Sequence, residues 1–331
     1  MNNLNRLLIT GCALVLVLAC MVPAQAQKEN AADDQVKLTA DLVVLDVQAR
    51  SKKTGLAVGG LTKNDFEIYE DGTKQEILQF GHDKLPLSVV ILLDVSGSVT
   101  DLLNELRWGA VKAIENLKPE DEVALMVFAG SSRVVIEFTK EKQRIVNGID
   151  QADARGLAPE TDIWGAYQDA ARFLKRSANP ESRRVIIAVT DDVSKKTSAN
   201  PFANPRLLTE LFEAGIVVNA VLYDTTHRML LRTGVSDQTV AGRVRANVGL
   251  SLFYAQRTGG LAIETSRETF KDRFADMIAH LRSRYTLAYM SSNTNQDGKF
   301  RKVRVKLTRA AEKRVGSLGI LTRAGYHARR N

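Results

Sequence analysis

Short oxygen-bearing side chains recur at every second position near the end of the first third of the chain. Asp94, Ser96 and Ser98 alternate with Val95 and Gly97. A carboxylate and two hydroxyls spaced in this way can converge on one point in a loop, and Gly97 leaves the backbone room to turn. Such hard oxygen donors suit Mg²⁺ or Mn²⁺ and do not suit zinc or copper. The sequence therefore predicts a divalent metal site that begins at Asp94.

Two apolar runs predict the strands that position this chemistry. The segment 87–93 is nearly all apolar, as a strand buried on both faces must be, and Asp94 follows it directly. The segment 185–189 is a second run of this kind, with Asp191 just beyond it. Ligands in open α/β sheets bind outside the carboxyl ends of parallel strands. We therefore expect Asp94 and Asp191 at the same edge of one sheet.

Strand patterns alternate with helical patterns throughout residues 85–284. Such alternation predicts an α/β fold with a doubly wound, mostly parallel sheet that is covered on both faces. Thr161 opens the helical pattern that begins near Ile163. It is therefore expected at the edge that carries the two aspartates.

The five oxygen-bearing residues Asp94, Ser96, Ser98, Thr161 and Asp191 together resemble the metal-ion-dependent adhesion site of von Willebrand factor A domains and integrin I domains. The resemblance extends over about residues 87–284 and implies the Rossmann-like fold of that family. In the family these positions hold a divalent cation, directly or through water. The cation keeps one coordination position for an acidic group. The resemblance thus implies Mg²⁺ or Mn²⁺ as cofactor and a partner protein with an exposed Asp or Glu.

The segments on either side of this domain are rich in strand patterns. Asp71-Gly72 between two β-forming runs predicts a hairpin. Because the ends of an inserted domain usually lie close together, residues 36–84 and 285–331 are expected to pack as one all-β unit. A weaker last strand is predicted over residues 315–321. This layout resembles that of the VWFA-related domain family of Acidobacteria.

The first 26 residues have the pattern of a secretory signal peptide. Arg6 supplies a positive start, residues 7–22 are largely apolar, and Ala24-Gln25-Ala26 is a small-x-small cleavage site. A membrane-spanning helix is the other interpretation, but the apolar run is short for one. We expect residues 27–35 to be a flexible leader, and the mature protein to have no transmembrane span.

Both cysteines, Cys12 and Cys20, lie within the predicted signal. A mature chain without them has no disulfide, thiolate nucleophile or cysteine-ligated metal. The expected location is secreted, periplasmic or in the cell envelope. Lipidation of Cys20, as in a bacterial lipoprotein, is the alternative to cleavage after Ala26.

The chain has a net charge of +8, which favours acidic partners or anionic surfaces without naming one. The arginine-rich stretch 225–257 is either a solvated loop or a partner-binding rim that includes Arg228 and Arg232. Export and the absence of interleaved exposed aromatic residues argue against a nucleic-acid partner.

No catalytic motif is evident, and the chain is not expected to be an enzyme. Its histidines are scattered without metal or triad spacing: His82, His227, His280 and His327. Asp192, beside Asp191, is expected to be solvated rather than to be a metal ligand, which is the alternative. Two functions remain. One is a metal-dependent adhesion or assembly module, and the alternative is a structural cell-envelope protein whose metal only stabilises the fold.

Overall fold

The computed structural model describes residues 42–53, 55–82, 85–96, 103–114, 116–158, 160–194, 205–223 and 250–330. The predicted signal and leader, with both cysteines, lie outside these residues. So do three of the predicted functional residues, Ser98, Arg228 and Arg232. No helix within the described ranges is long and apolar enough to cross a membrane.

The strands, in chain order, are β1 (Leu42–Ser51), β2 (Phe66–Glu70), β3 (Thr73–Gln75), β4 (Gln79–His82), β5 (Leu87–Asp94), β6 (Glu122–Phe128), β7 (Ser132–Thr139), β8 (Arg183–Thr190), β9 (Ile216–Tyr223), β10 (Ala262–Thr265), β11 (Tyr285–Met290), β12 (Phe300–Leu307), β13 (Leu318–Leu321) and β14 (Gly325–His327). The helices are α1 (Leu103–Ile114), α2 (Lys142–Ile149), α3 (Ile163–Leu174), α4 (Arg206–Glu213), α5 (Leu250–Thr258), α6 (Phe270–Arg282) and α7 (Arg309–Val315).

The central sheet has six strands in the order β10-β9-β8-β5-β6-β7. All neighbours are parallel except β6 and β7. Every residue of β5 is buried, because side chains on both of its faces enter a core. Val89, Ile91 and Leu93 face a cluster that includes residues of α2 and α6, whereas Val90 and Leu92 face residues of α3, α4 and α5. The predicted doubly wound, mostly parallel α/β fold is confirmed.

The two ends of the chain form a β-sandwich of two four-stranded sheets, β13-β1-β11-β4 and β14-β12-β2-β3. Strands from both ends pair antiparallel in each sheet; for example, Leu287 is opposite Phe80 and Val305 is opposite Ile68. Alternate residues of these strands fill one shared core, which includes Leu45. The predicted flanking β unit, formed from the N- and C-terminal segments, is confirmed.

The C-terminal part of this unit differs from the sequence prediction. The strand predicted from Val315 is wrong over its first residues, because α7 ends at Val315 and β13 begins only at Leu318. Thr308 caps α7 by accepting a hydrogen bond of 3.3 Å from the Ala311 amide. Alanine, glutamate, lysine and arginine fill the helix, and these residues favour helix over strand. The flanking unit therefore carries one short helix beside its two antiparallel sheets.

The predicted hairpin forms at Asp71-Gly72, where both residues have positive φ, 46° and 90°. Such a two-residue turn matches the twist of its strands. The second strand of the hairpin is β3, which ends at Gln75, so the run 77–80 contributes to another sheet through β4.

Partly buried ion pairs join the β-sandwich to the α/β part. Asp46 of β1 pairs with Arg183 at the start of β8, at 3.4 Å, and with Arg284 just before β11, at 3.2 Å. The Arg284 side chain is 2% exposed and also donates to the Gly259 carbonyl. The described residues from Val43 onward accordingly form one compact unit.

Candidate metal-binding site

Asp94 and Asp191 lie at the same edge of the central sheet. Asp94 ends β5 and Asp191 follows β8, and these strands are parallel neighbours in which Leu93 is opposite Val189. Asp94 is fully buried and Asp191 is 8% exposed. The shared edge expected from the two apolar runs is thus present in the structure.

Two donors orient the carboxylate of Asp94. Its Oδ1 accepts a hydrogen bond of 2.9 Å from the Ser96 amide, and its Oδ2 accepts one of 2.8 Å from the Thr190 hydroxyl. Thr190 is fully buried and had not been singled out from the sequence. The available signal was a hydroxyl residue that ends an otherwise apolar run directly before Asp191.

Burial raises the pKa of Asp94 to about 6, and the negative charge of Asp191 acts in the same direction. The hydrogen bonds from Ser96 and Thr190 oppose this rise without cancelling it. Asp94 and Asp191 are two buried carboxylates that repel each other when both are ionised. A divalent cation between them would offset this repulsion. By this test, the donor set fits a hard cation.

Thr161 is brought to this edge by the loop that follows β6. The Asp162 amide donates to the Ala129 carbonyl at 2.8 Å, and the Gly130 amide donates to the Ala158 carbonyl at 2.9 Å. A Cβ on Gly130 would lie 2.6 Å from the Glu160 carbonyl oxygen, so only glycine permits this approach.

The start of α3 holds the residues on either side of Thr161. Asp162 caps the helix by accepting a hydrogen bond of 2.9 Å from the Gly165 amide. The Ser194 hydroxyl donates to the Thr161 carbonyl at 3.2 Å, which ties this loop to the one that carries Asp191. Thr161 itself is 2% exposed.

Four of the predicted ligands therefore lie on loops that are joined to one another: Asp94, Ser96, Thr161 and Asp191. The fifth, Ser98, lies outside the described residues. Within the described part of the chain, no three His, Cys, Asp or Glu side chains are grouped so that they could hold a metal ion. Hydroxyl donors would have to complete the set, and metal binding by these residues stays a prediction.

Asp192 is not solvated, and the expectation that it would be is wrong. It is 2% exposed, and its Oδ1 accepts a hydrogen bond of 2.9 Å from the Ser251 amide at the start of α5. Its φ of 56° turns the chain after β8 and directs the side chain inward. An Asp-Asp pair after a strand carries no sequence signal for this long-range contact.

The arginine-rich stretch 225–257 lies outside the described residues up to position 249. Its last part is α5, in which Tyr254 is fully buried, so the interpretation as one continuous loop or rim fails there. The Arg257 guanidinium lies 5.2 Å from the ring centroid of Phe253. A role for Arg228 and Arg232 stays a prediction.

Comparison with known proteins identifies the central segment of the chain. Residues 89–194 match the family model described as the von Willebrand factor type A domain, and the match includes every described candidate ligand. Residues 89–194 are therefore assigned to a von Willebrand factor type A domain. A search among curated proteins found no match.

Solved structures resemble this chain only at low sequence identity and low TM-score. BatB from Bacteroides thetaiotaomicron is 16% identical over 59% of this chain and 99% of its own, with a TM-score of 0.43. Proximal thread matrix protein 1 from the mussel byssus, described with a zinc-occupied MIDAS motif, is 13% identical over 60% and 48%, with a TM-score of 0.43. A von Willebrand factor type A protein from Catenulispora acidiphila is 11% identical over 81% and 74%, also at 0.43. The narrower resemblance to the family of Acidobacteria stays a prediction.

Proposed function

We propose that this chain is an exported adhesion or assembly module that captures an acidic group of a partner protein through a divalent cation. The cation would be Mg²⁺ or Mn²⁺, held by Asp94, Ser96, Ser98, Thr161 and Asp191. It would supply a positive charge that a partner carboxylate completes. Von Willebrand factor type A domains generally mediate protein interactions, which supports a binding role.

The observation that carries the proposal is the pair of buried carboxylates at one sheet edge. Removing a charged carboxylate from water is costly unless a cation or hydrogen-bond donors compensate it. Ser96 and Thr190 donate hydrogen bonds to Asp94, yet its pKa remains raised to about 6. A divalent cation offsets both charges, which hydrogen bonds alone do not.

The protein's own residues would leave the bound cation able to attract an outside anion. Two carboxylates balance the charge of one divalent cation, and the hydroxyls of Ser96, Ser98 and Thr161 add dipoles without further charge. If one carboxylate acts through a water molecule, the cation stays electrophilic toward an outside anion. The hydrogen bonds from Ser96 and Thr190 would then hold Asp94 in place while the partner binds.

The proposal assigns no catalytic step to the site. The described histidines belong to other parts of the fold, with His82 in β4, His280 in α6 and His327 in β14. Export is proposed from the signal pattern of residues 1–26, and the confinement of both cysteines to that segment supports it.

A peptide-display selection tests the carboxylate preference without knowledge of the natural partner. The mature protein is used to select peptides in Mg²⁺, and each selected peptide is resynthesised with Asn or Gln in place of its Asp or Glu. Binding should require Mg²⁺ and one acidic residue, and should be lost in Asp94→Asn. Asp71→Asn serves as a control, because it changes one acid in the β-sandwich hairpin and asparagine tolerates the positive φ there.

Peptides that bind equally well in chelator, or after their acidic residues are replaced, would contradict the proposal. If calorimetry shows at the same time that Mg²⁺ binds and raises the unfolding temperature, the alternative gains support. The metal would then only stabilise a structural envelope protein.

A further inference from the structure

A continuous hydrogen-bond path leads from Asp94 to α5. The Thr190 hydroxyl donates to Asp94 Oδ2 at 2.8 Å and accepts from the Asp192 amide at 3.0 Å. Asp192 Oδ1 in turn accepts from the Ser251 amide at 2.9 Å. Thr190, Asp192 and Ser251 are all buried, so water competes little for these bonds. The path joins a predicted metal ligand to a helix that follows it by more than 150 residues in the chain.

Asp192 holds an unusual backbone conformation at this point. Its φ of 56° lies in the left-handed region, which disfavours most side chains and which aspartate, asparagine and glycine tolerate best. Such strain persists only where the surroundings determine it. Here the surroundings include the adjacent Asp191 and the contact of the side chain with α5.

The first turn of α5 gains an acceptor from outside the helix. The first amides of any helix lack partners within it, and a negative charge at that end is favourable. Asp192 supplies both the acceptor and the negative charge, although it lies 59 residues before Ser251 in the chain. Burial raises the pKa of Tyr167 well above its ordinary value, and the charge of Asp192 acts in the same direction. The Tyr167 side chain, which comes from α3, therefore belongs to the same buried group as Asp192. The Tyr167 ring meets the ring of Tyr254 of α5 edge-on, with centroids 5.5 Å apart.

We propose that Asp192 is a positioning residue that couples occupancy of the metal site to the order of the first turn of α5. The inference rests on the proposed function, because it requires a cation at Asp94 and Asp191. A cation that fixes these carboxylates restrains Thr190 and the 191–192 peptide, and so holds the Asp192 side chain against Ser251. Coupling of this kind is reciprocal: whatever orders α5 must tighten metal binding by the same factor.

Two variants separate the side-chain contact from the backbone conformation. Asp192→Gly keeps the positive φ and removes the acceptor for Ser251. Asp192→Asn also tolerates this φ and keeps an oxygen acceptor, but it lacks the charge. If coupling runs through the hydrogen bond, the asparagine variant should retain most of it and the glycine variant should lose it.

Hydrogen exchange by mass spectrometry and calorimetry provide the test on the mature protein. Mg²⁺ should slow exchange of the amides in residues 250–258 several-fold in the wild type and in Asp192→Asn. In Asp192→Gly this slowing should disappear, while Mg²⁺ still binds with an affinity lower by about 5-fold or more, the small end of typical coupling factors. A purely structural role would loosen α5 equally with and without Mg²⁺.

Each outcome separates this inference from the function on which it rests. Mg²⁺ binding to the wild type without any change in α5 exchange would overturn the coupling and leave the proposed function intact. Equal slowing in Asp192→Gly and the wild type would also overturn it. Absence of Mg²⁺ binding to the wild type would overturn both.

Discussion

The hydroxyl of Thr190 donates a hydrogen bond of 2.8 Å to Oδ2 of Asp94, so the carboxyl ends of β8 and β5 are joined directly beneath the candidate site. The same hydroxyl accepts from the Asp192 amide. The Thr190 side chain thus forms hydrogen bonds both with the Asp94 carboxylate at the end of β5 and with the backbone turn that follows β8. This double role makes Thr190 a good position at which to test how the edge is built.

Thr190→Val should destabilise the protein, because it leaves the buried Asp192 amide and Asp94 Oδ2 without this partner. The expected loss of unfolding free energy is about 1–3 kcal/mol, the usual cost of an unsatisfied buried polar group. Thr190→Ser keeps the hydroxyl and should lose much less. Urea unfolding in chelator measures both, and equal losses for valine and serine would show that packing, rather than the hydrogen bonds, matters at this position.

Asp94→Asn should stabilise the metal-free protein at neutral pH. The folded-state pKa of Asp94 is raised from 3.8 to about 6, so its contribution to stability is fully present below the unfolded value and is lost as the pH rises through about 6. Above that pH range the shift lowers the free energy of unfolding by on the order of 3 kcal/mol. Asparagine has nearly the same shape; it can accept from Ser96, and its amide can donate to the Thr190 hydroxyl, which reverses the wild-type bond.

The test compares urea unfolding of the wild type and Asp94→Asn at pH 4 and pH 7.5 in chelator. The variant should be the more stable of the two at pH 7.5 only, and added Mg²⁺ should stabilise the wild type alone. A variant that is less stable than the wild type at both pH values would contradict the assigned pKa shift.

Gly130→Ala should weaken metal binding through Thr161. The new Cβ would lie 2.6 Å from the Glu160 carbonyl, so the loop that carries Thr161 must move. We expect a loss of Mg²⁺ affinity with the overall fold retained, measured by calorimetry and circular dichroism. Gly59→Ala is the matched control, because a Cβ there would meet nothing within 4 Å. Unchanged affinity in Gly130→Ala would exclude Thr161 from the site.

Asp46→Ala should strongly destabilise the whole compact unit. It removes the shared partner of Arg183 and Arg284, whose side chains are 9% and 2% exposed. Breaking a fully buried ion pair on one side costs about 3–5 kcal/mol, and the 19% exposure of Asp46 lowers the expected loss below that range. Asp153→Ala, which removes the shared partner of Arg133 and Arg155, whose side chains are 39% and 89% exposed, should change little. Chemical denaturation measures both, and comparable effects would argue against a junction held by Asp46.

The fold was predictable wherever burial leaves a periodic trace in the sequence. The central residues of β5 and β8 are nearly all apolar because both faces of these strands are covered, whereas β12 alternates strictly because only one of its faces is. The first residues of the strand predicted over 315–321 were wrong, because a short helix between Thr308 and Gly316 ends at Val315 and β13 begins only at Leu318. Helix α5 was missed within an arginine-rich stretch.

The placement of the candidate ligands was predictable from the sequence, and that of the residues that support them was not. Asp94, Ser96, Thr161 and Asp191 follow strands or precede a helix, so topology alone brings them to one edge. Thr190, Asp192 and Gly130 act through contacts between residues far apart in the sequence, or through backbone geometry. No spacing in a single sequence encodes such contacts, which explains why Asp192 was misassigned.

The central claim, a divalent cation held by Asp94 and its neighbours, is tested most directly by calorimetric titration of Mg²⁺ and of Mn²⁺ into the mature protein and into Asp94→Ala. Circular dichroism establishes that both proteins are folded. The account predicts one site per chain in the wild type and no high-affinity site in Asp94→Ala. Binding of equal strength in both proteins, or no binding to the folded wild type, would contradict it.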